Sequence, residues 1–242
     1  MSLADKIAQE MPQGGVSLTL MGQRFLALPE GVLYWPDEAT LIVADLHLEK
    51  GSSFARKGTF LPPYDSRATL RRLELLISAL LPARIIALGD SFHDVAAASR
   101  LGADECAMIG HMQQGREWVW VSGNHDPYPP QALGGTACDE LSIGPIIFRH
   151  EPMPGAEGEI AGHLHPCSKI RSRARSVRRP CFIEDGKRAI LPAFGELTGG
   201  LNIRNAAYSN LFGAPDSTRI HMLGDRQIYS VSPAQCRPDR RG

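Results

Sequence analysis

The chain has 242 residues, enough to bury a full core in one domain, read here as spanning 1–242. Its 26 Lys and Arg balance its 26 Asp and Glu, so no global field draws in a polyanion, and nucleic-acid affinity would have to come from a local patch. No run approaches the roughly 18 uninterrupted apolar residues of a membrane-spanning helix. The polar opening 1–15 lacks the apolar core of a signal peptide. The five cysteines are odd in number and form no Cys-x-x-Cys pair, which argues against a disulfide framework and fits a reducing cytoplasm.

Short strands are predicted first: VSLTL (16–20), RFLAL (24–28), VLYW (32–35) and LIVAD (41–45), broken by Gly22, Pro29-Glu30-Gly31 and Pro36-Asp37. An amphipathic helix follows, with Leu70, Leu73, Leu76, Ile77, Leu80 and Leu81 at helical spacing and Pro82 as its stop. Strand RIIAL (84–88), a helical region near 94–116 and strand WVWVS (118–122) continue a βαβαβ rhythm. Beyond Asp126 the texture turns to strands, with hairpin signals at Asp185-Gly186 and around Gly224-Asp225. These elements predict an α/β architecture of two packed sheets with helices outside.

Polar residues recur where apolar strands stop. LIVA is followed by Asp45-Leu46-His47, RIIAL by Gly89-Asp90, and WVWVS by Gly123-Asn124-His125-Asp126. PIIF leads to Arg149-His150, and EIA to Gly162-His163-Leu164-His165. Loops after strands gather ligands at one sheet edge, and carboxylate, amide and imidazole together suit divalent, borderline-to-hard ions better than a thiolate zinc site. Each block alone has a plain structural reading: a lone histidine is more often a satisfied polar group, and Gly-Asp is often just a turn. It is the five together that carry the argument. His111 and His221 have no such context and are read as structural.

The five blocks, in order, resemble the calcineurin-like binuclear metallophosphoesterase superfamily, over about residues 41–166. The resemblance implies a four-layer αββα sandwich and two divalent metal ions. Asp45, His47 and His165 would hold one ion, Asn124, His150 and His163 the other, and Asp90 would bridge them. Such a pair lowers the pKa of a water and clamps phosphate oxygens. His125 would act as general acid or phosphate contact, held by Asp126.

One departure matters. The family's Asp-Arg after Gly-Asp is replaced here by Ser91-Phe92-His93-Asp94, which leaves His93 or Asp94 to serve the substrate or support the ligands. The runs LGDSFHD (88–94), GHLHPC (162–167), RRPCFI (178–183) and LPAFGELTGG (191–200) resemble the bacterial ligase-associated DNA damage response endonucleases, the PdeM subgroup. That implies a manganese-dependent phosphodiesterase cutting single-stranded DNA in repair, with ligase, helicase or exonuclease partners. Cys167 and Cys181 recur in those runs, and buried packing is expected of both. LPAFGELTGG reads as a fixed turn near the active edge. A phosphate-cradling loop is its alternative, although the Lys-Ser/Thr of a P-loop is missing.

The C-terminal part, 167–242, opens with the basic run Lys169 to Arg179. It reads either as a solvated charged face or as a contact for substrate phosphates through Arg171, Arg173 and Arg175. Two further readings of the whole chain stay open. One is a phosphodiesterase or phosphatase acting on small nucleotides or phosphoproteins. The other is an inactive scaffold of the same fold, which the complete ligand set and intact His125 disfavour.

Overall fold

The computed structural model describes residues 14–59, 64–172, 175–213 and 216–239. The first sheet builds from β1 (Val16–Leu20), β2 (Gln23–Ala27), β3 (Leu33–Trp35) and β4 (Thr40–Val43), which pair antiparallel in that order. β5 (Arg84–Leu88), β6 (Glu117–Val121) and β7 (Thr136–Cys138) then add in parallel. The change of sense follows from the connections, since tight turns return a strand antiparallel and a helical crossover brings it back parallel.

The helices come from those crossovers: α1 (Lys50–Arg56), α2 (Asp65–Leu80) and α3 (Ala103–Gln113). α2 begins earlier than the leucine periodicity predicts, because the polar residues 65–69 form its first turn. α1 was not legible at all. Its Gly-Ser-Ser content is poor for a helix, and a neighbouring element holds it, Asp65 Oδ2 accepting the Gly51 N–H at 2.9 Å. The region near 94–116 is split by Gly102 into a short 3-10 turn (Ala97–Arg100) and α3.

The second sheet contains β8 (Glu140–Ile143), β9 (Ile146–Arg149), β10 (Glu159–Ala161), β11 (Pro166–Ser172), β12 (Arg175–Glu184), β13 (Arg188–Ile190) and β14 (Leu201–Asn202). β15 (Arg219–Leu223) pairs with β12, and β16 (Ile228–Val231) with β15. β9, β10 and β13 run parallel. The Asp185-Gly186 turn joins β12 to β13, and Gly224-Asp225 lies between β15 and β16, where both hairpins are predicted.

The core is layered. Ile42, Ile86, Leu88, Val119 and Val121 of the first sheet meet Ile146, Phe148, Ile160, Phe182 and Ala189 of the second. On the other face of the first sheet, Leu41, Val43, Ile85 and Trp118 pack against Leu70, Leu73 and Ile77 of α2 and Ile109 and Met112 of α3. Central strands buried on both faces are apolar throughout, as the runs LIV and RIIAL show. The outer face of the second sheet is covered by residues 203–211, where Ile203, Tyr208 and Leu211 sit on Ile183, Ile190 and Ile220, with a 3-10 turn at Ala206–Tyr208 in place of an α-helix. The two mixed sheets with helices form the expected α/β sandwich. No helix of the described residues is long and apolar enough to cross a membrane.

Candidate metal centre

Parallel pairing decides where the polar residues go. β4, β5 and β6 run side by side in one sheet, and β9 and β10 in the other. Their C-terminal ends meet across the sandwich: His150 Nδ1 donates to the Leu88 carbonyl at 3.0 Å, and the His163 N–H donates to Asp45 Oδ2 at 3.1 Å. Beyond those ends the chain turns through left-handed backbone at Asp45, His47, Asp90, His163 and His165, with φ of 55°, 43°, 45°, 67° and 45°. That conformation costs a residue bearing a Cβ roughly 1–2 kcal/mol, and it persists only where the surroundings enforce it. Here they do: the His47 and Leu48 N–H groups donate to the Asp90 and Ser91 carbonyls, both at 2.9 Å.

Among the described residues three groups of donor atoms result, one of them His47 with His93 and His125, and the other two match the expected ligands. In one, His165 Nε2 lies 3.2 Å from Asp45 Oδ1 and 3.3 Å from His47 Nε2. In the other, Asn124 Oδ1 lies 3.0 Å from His150 Nε2 and 2.9 Å from His163 Nδ1, with 3.2 Å between the two imidazole nitrogens. Asp90 Oδ2 stands 3.3 Å from His150 Nε2 and 3.9 Å from His47 Nε2, and so faces both.

The donor set fits divalent cations. Ligands about 2.1 Å from one ion are separated by about 3.0–3.4 Å along the edges of an octahedron or tetrahedron, close to these spacings. The far nitrogens of three rings are engaged as well. His150 Nδ1 meets the Leu88 carbonyl, His165 Nδ1 the Gly199 carbonyl at 3.2 Å, and His163 Nε2 the Glu151 carboxylate at 3.3 Å. Such partners fix the tautomer and leave the inward nitrogen as a lone pair. Glu151 and the Gly199 carbonyl were not singled out in the sequence, although Glu151 directly follows His150.

Glycine keeps the centre tight at two places. A Cβ on Gly123 would lie 2.1 Å from the Asp90 nitrogen, and one on Gly162 would lie 2.6 Å from Asp45 Oδ2.

The buried acids and imidazoles shift one another's protonation. Burial alone would lower the His150 pKa, but the hydrogen bond to Asp90 and the charges of Asp45 and Asp90 raise it to about 9. Burial likewise opposes ionisation of Asp90, yet the hydrogen bond and charge of His150 bring it down to about 2. His47 is pushed down to about 2 by burial and by the neighbouring His165.

His125 and His93 stand beside these groups, their rings stacked at 5.3 Å. His125 is not held by Asp126, contrary to expectation. Its Nδ1 donates to the His93 carbonyl at 2.8 Å, its backbone N–H to Asp90 Oδ1 at 2.8 Å, and its Nε2 lies 3.9 Å from Asp90 Oδ2. The Asp126 carboxylate points into the interior, where Oδ2 accepts the Phe92 N–H at 3.1 Å and burial pushes its pKa up to about 7. Its work is to anchor the loop that carries His93. His93, with Nδ1 3.4 Å from His47 Nδ1, is pushed down to about 4 by burial and by Lys50. Asp94 turns away to a two-pronged pair with Arg100, at 2.9 and 2.8 Å.

The basic run forms the β11–β12 hairpin, with Lys169 opposite Arg178 and Arg171 opposite Ser176. Arg171 and Arg175 are exposed near its tip, six and ten residues past His165, and not among the donor groups. Arg173 lies outside the described residues, as does the opening stretch 1–13. Nearer the base, Arg178 and Lys169 meet Asp239, and Arg179 meets Asp225. Cys167 and Cys181 are buried packing residues, as expected. LPAFGELTGG is a fixed turn: the Phe194 and Gly195 N–H groups donate to the Ala44 and Asp45 carbonyls at 2.9 and 3.1 Å. His221 is buried on Ser230 and Glu184, a structural role.

A two-sheet sandwich with histidine, aspartate and asparagine gathered at parallel strand ends is the architecture of a metal-dependent phosphoesterase. No family model matches the chain, and the comparison with curated proteins found no match. Among solved structures, the Pseudomonas putida nuclease MPE matches at 30% identity with a TM-score of 0.69, covering 90% of this chain and 100% of that chain. The phosphoesterase YfcE of E. coli is 14% identical with a TM-score of 0.40, over 80% of this chain and 98% of that one. The chain belongs to the calcineurin-like metallophosphoesterase superfamily, and it is a metal-dependent phosphoesterase.

Proposed function

We infer that this enzyme is an endonuclease that hydrolyses phosphodiester bonds of single-stranded DNA in the course of repair, with manganese as its metal. Similarity to a nuclease over that protein's whole length, joined to the paired donor groups, supports this reading above hydrolysis of small phosphate esters. Asp45, His47 and His165 would hold one cation, Asn124, His150 and His163 the other, with Asp90 facing both sets. When bound, the cations would supply an activated water and positive charge toward the phosphate oxygens. His125, its Nδ1 fixed on the His93 carbonyl, presents Nε2 to the departing oxygen and delivers a proton there. His93 lines the same wall and orients the phosphate. The exposed Arg171 and Arg175, with Arg173, track the strand backbone.

The test is hydrolysis of labelled single-stranded DNA, duplex DNA and a cyclic dinucleotide by metal-stripped protein refilled with Mn, Fe, Zn, Co or Ni. Single-stranded DNA with Mn should be cleaved fastest. Preference for the cyclic dinucleotide, or for duplex, would overturn the reading.

A further inference from the structure

Next to His165 opens a cleft of about 390 Å³ that the metal ligands do not fill. Its lining includes Gly199 and Gly200, Arg178 and Arg179 of β12, and Phe194 and Gly195. The cleft is coupled to the centre through adjacent carbonyls. Gly199 O accepts from His165 Nδ1 at 3.2 Å, and Gly200 O accepts from Arg178 Nη2 at 2.5 Å. Arg178 therefore reaches back along the hairpin toward the metal edge, one peptide unit from the carbonyl that orients a ligand. Gly195 and Gly200 set the depth, since a Cβ on Gly195 would strike the Leu46 carbonyl at 2.2 Å and one on Gly200 the Cys167 sulfur at 2.0 Å. Gly199 has nothing within 4 Å of such a Cβ and borders open space.

The charges in the cleft are unequal. Arg72 is committed: it pairs with Glu196 at 2.7 Å, donates to the Glu30 carbonyl and lies over the Phe194 ring at 4.2 Å. The lining also carries the Glu30 carboxylate, against the two guanidinium groups of Arg178 and Arg179. Their own partners, Asp239 and Asp225, are not part of the lining and are 44% and 83% exposed, and the two arginine side chains are 39% and 48% exposed. Ion pairs this exposed are weak, so either guanidinium can exchange its carboxylate for a phosphate at little cost. Guanidinium and phosphate then meet through paired hydrogen bonds.

We propose that this cleft is a subsite for a second phosphate of the strand, next to the one being cut, held by Arg178 and Arg179. The inference rests on the nuclease reading and narrows it. The enzyme should favour a diester that has a phosphate neighbour on one side. It thereby discriminates a polynucleotide from a small isolated diester without reading bases.

Thymidylyl-thymidine, its 5′-phosphorylated form and its 3′-phosphorylated form test this, each with one cleavable diester. Wild-type enzyme should cleave one phosphorylated form about tenfold better in kcat/KM than the bare dinucleotide, the size expected of a charge-assisted contact. In the R178Q/R179Q variant that ratio should fall to near one, and in R178K/R179K much of it should return. A ratio of one for both phosphorylated forms in the wild type, or a ratio that survives R178Q/R179Q with unchanged melting temperature, overturns the subsite and leaves the nuclease reading standing. Hydrolysis of bis-nitrophenyl phosphate with no cleavage of any oligonucleotide overturns both.

Discussion

His150 and Asp90 face each other across the join between the two sheets, Nε2 of one 3.3 Å from Oδ2 of the other. Because Nδ1 of His150 is occupied by the Leu88 carbonyl, a neutral ring would aim a lone pair at a carboxylate. The geometry is favourable only with positive charge between them, from a proton or from a cation. The same carboxylate oxygen reaches toward His47 in the other donor group, at 3.9 Å. Asp90→Ala should therefore empty both metal positions and abolish hydrolysis of every phosphoester, whereas His47→Ala or His163→Ala should each lower the metal content by about one ion. Metal per protein, measured alongside turnover, checks it. Near-normal activity in Asp90→Ala would sink the two-ion assignment.

Asp94 and Arg100 give a pH-dependent expectation away from the ligands. The Arg100 hydrogen bonds, working against burial, hold the Asp94 carboxyl below the usual carboxylate range. A depressed carboxylate adds stability that is fully present above its ordinary pKa of about 3.9 and is lost as pH falls through that value toward the folded one. With the pair about one-third exposed on the aspartate side, Asp94→Asn should cost about 1 kcal/mol at pH 7. The gap in melting temperature, about 2–4 °C, should narrow steadily below about pH 4. A gap that is constant down to pH 3 would mean the pair stabilises by shape alone.

Much of the centre was legible because its residues follow strands whose apolar runs are unmistakable. LIV, RIIAL and WVWV mark three parallel strands, and the polar residues after each fall together once the strands align. What was hidden depends on contacts between distant segments. Nothing near His125 tells that its ring is held by a carbonyl 32 positions earlier in place of the adjacent Asp126. The first turn of α1 is held by Asp65, 14 positions later, and Arg178 reaches toward the centre through the Gly200 carbonyl, 22 positions later. The basic run was legible as charge, but its division into exposed positions at Arg171 and Arg175 and a paired base depends on Asp225 and Asp239, more than 40 positions later.

That division leads to a salt-dependence prediction. Arg171 is six residues beyond His165 on an extended strand, hence about 20 Å from it along the chain direction. Contacts there act on distant phosphates of a bound strand. Each phosphate contact to a single strand contributes about −0.7 to the slope of log K against log salt. Replacing Arg171 and Arg175 with Gln should reduce the steepness of that slope by about 0.7–1.4 for a long oligonucleotide and leave it unchanged for a dinucleotide. Filter binding or anisotropy across a salt series gives the answer. Equal slopes for wild type and variant on the long strand would mean that the hairpin tip is only a solvated face.

His125 and Asn124 are adjacent in sequence and serve different ends, and substrate choice separates them. Asn124 Oδ1 lies within 3.0 Å of two inward-facing imidazole nitrogens, so it belongs to a donor group. The His125 ring is tethered by Nδ1 on the His93 carbonyl, and its Nε2, 3.9 Å from Asp90 Oδ2, faces the centre, where it can meet a leaving oxygen. A nitrophenolate departs unaided, whereas a deoxyribose alkoxide needs a proton, and general acid help is typically worth about 10²–10⁴-fold. His125→Ala should keep its metal, retain much of its turnover of bis-nitrophenyl phosphate, and lose DNA cleavage by about that factor. Asn124→Ala should lose metal and slow both reactions together. Rates for both variants on both substrates, with metal content measured on the same samples, decide the matter. Equal losses for His125→Ala on the two substrates would show that this ring positions the phosphate and gives no proton in the limiting step.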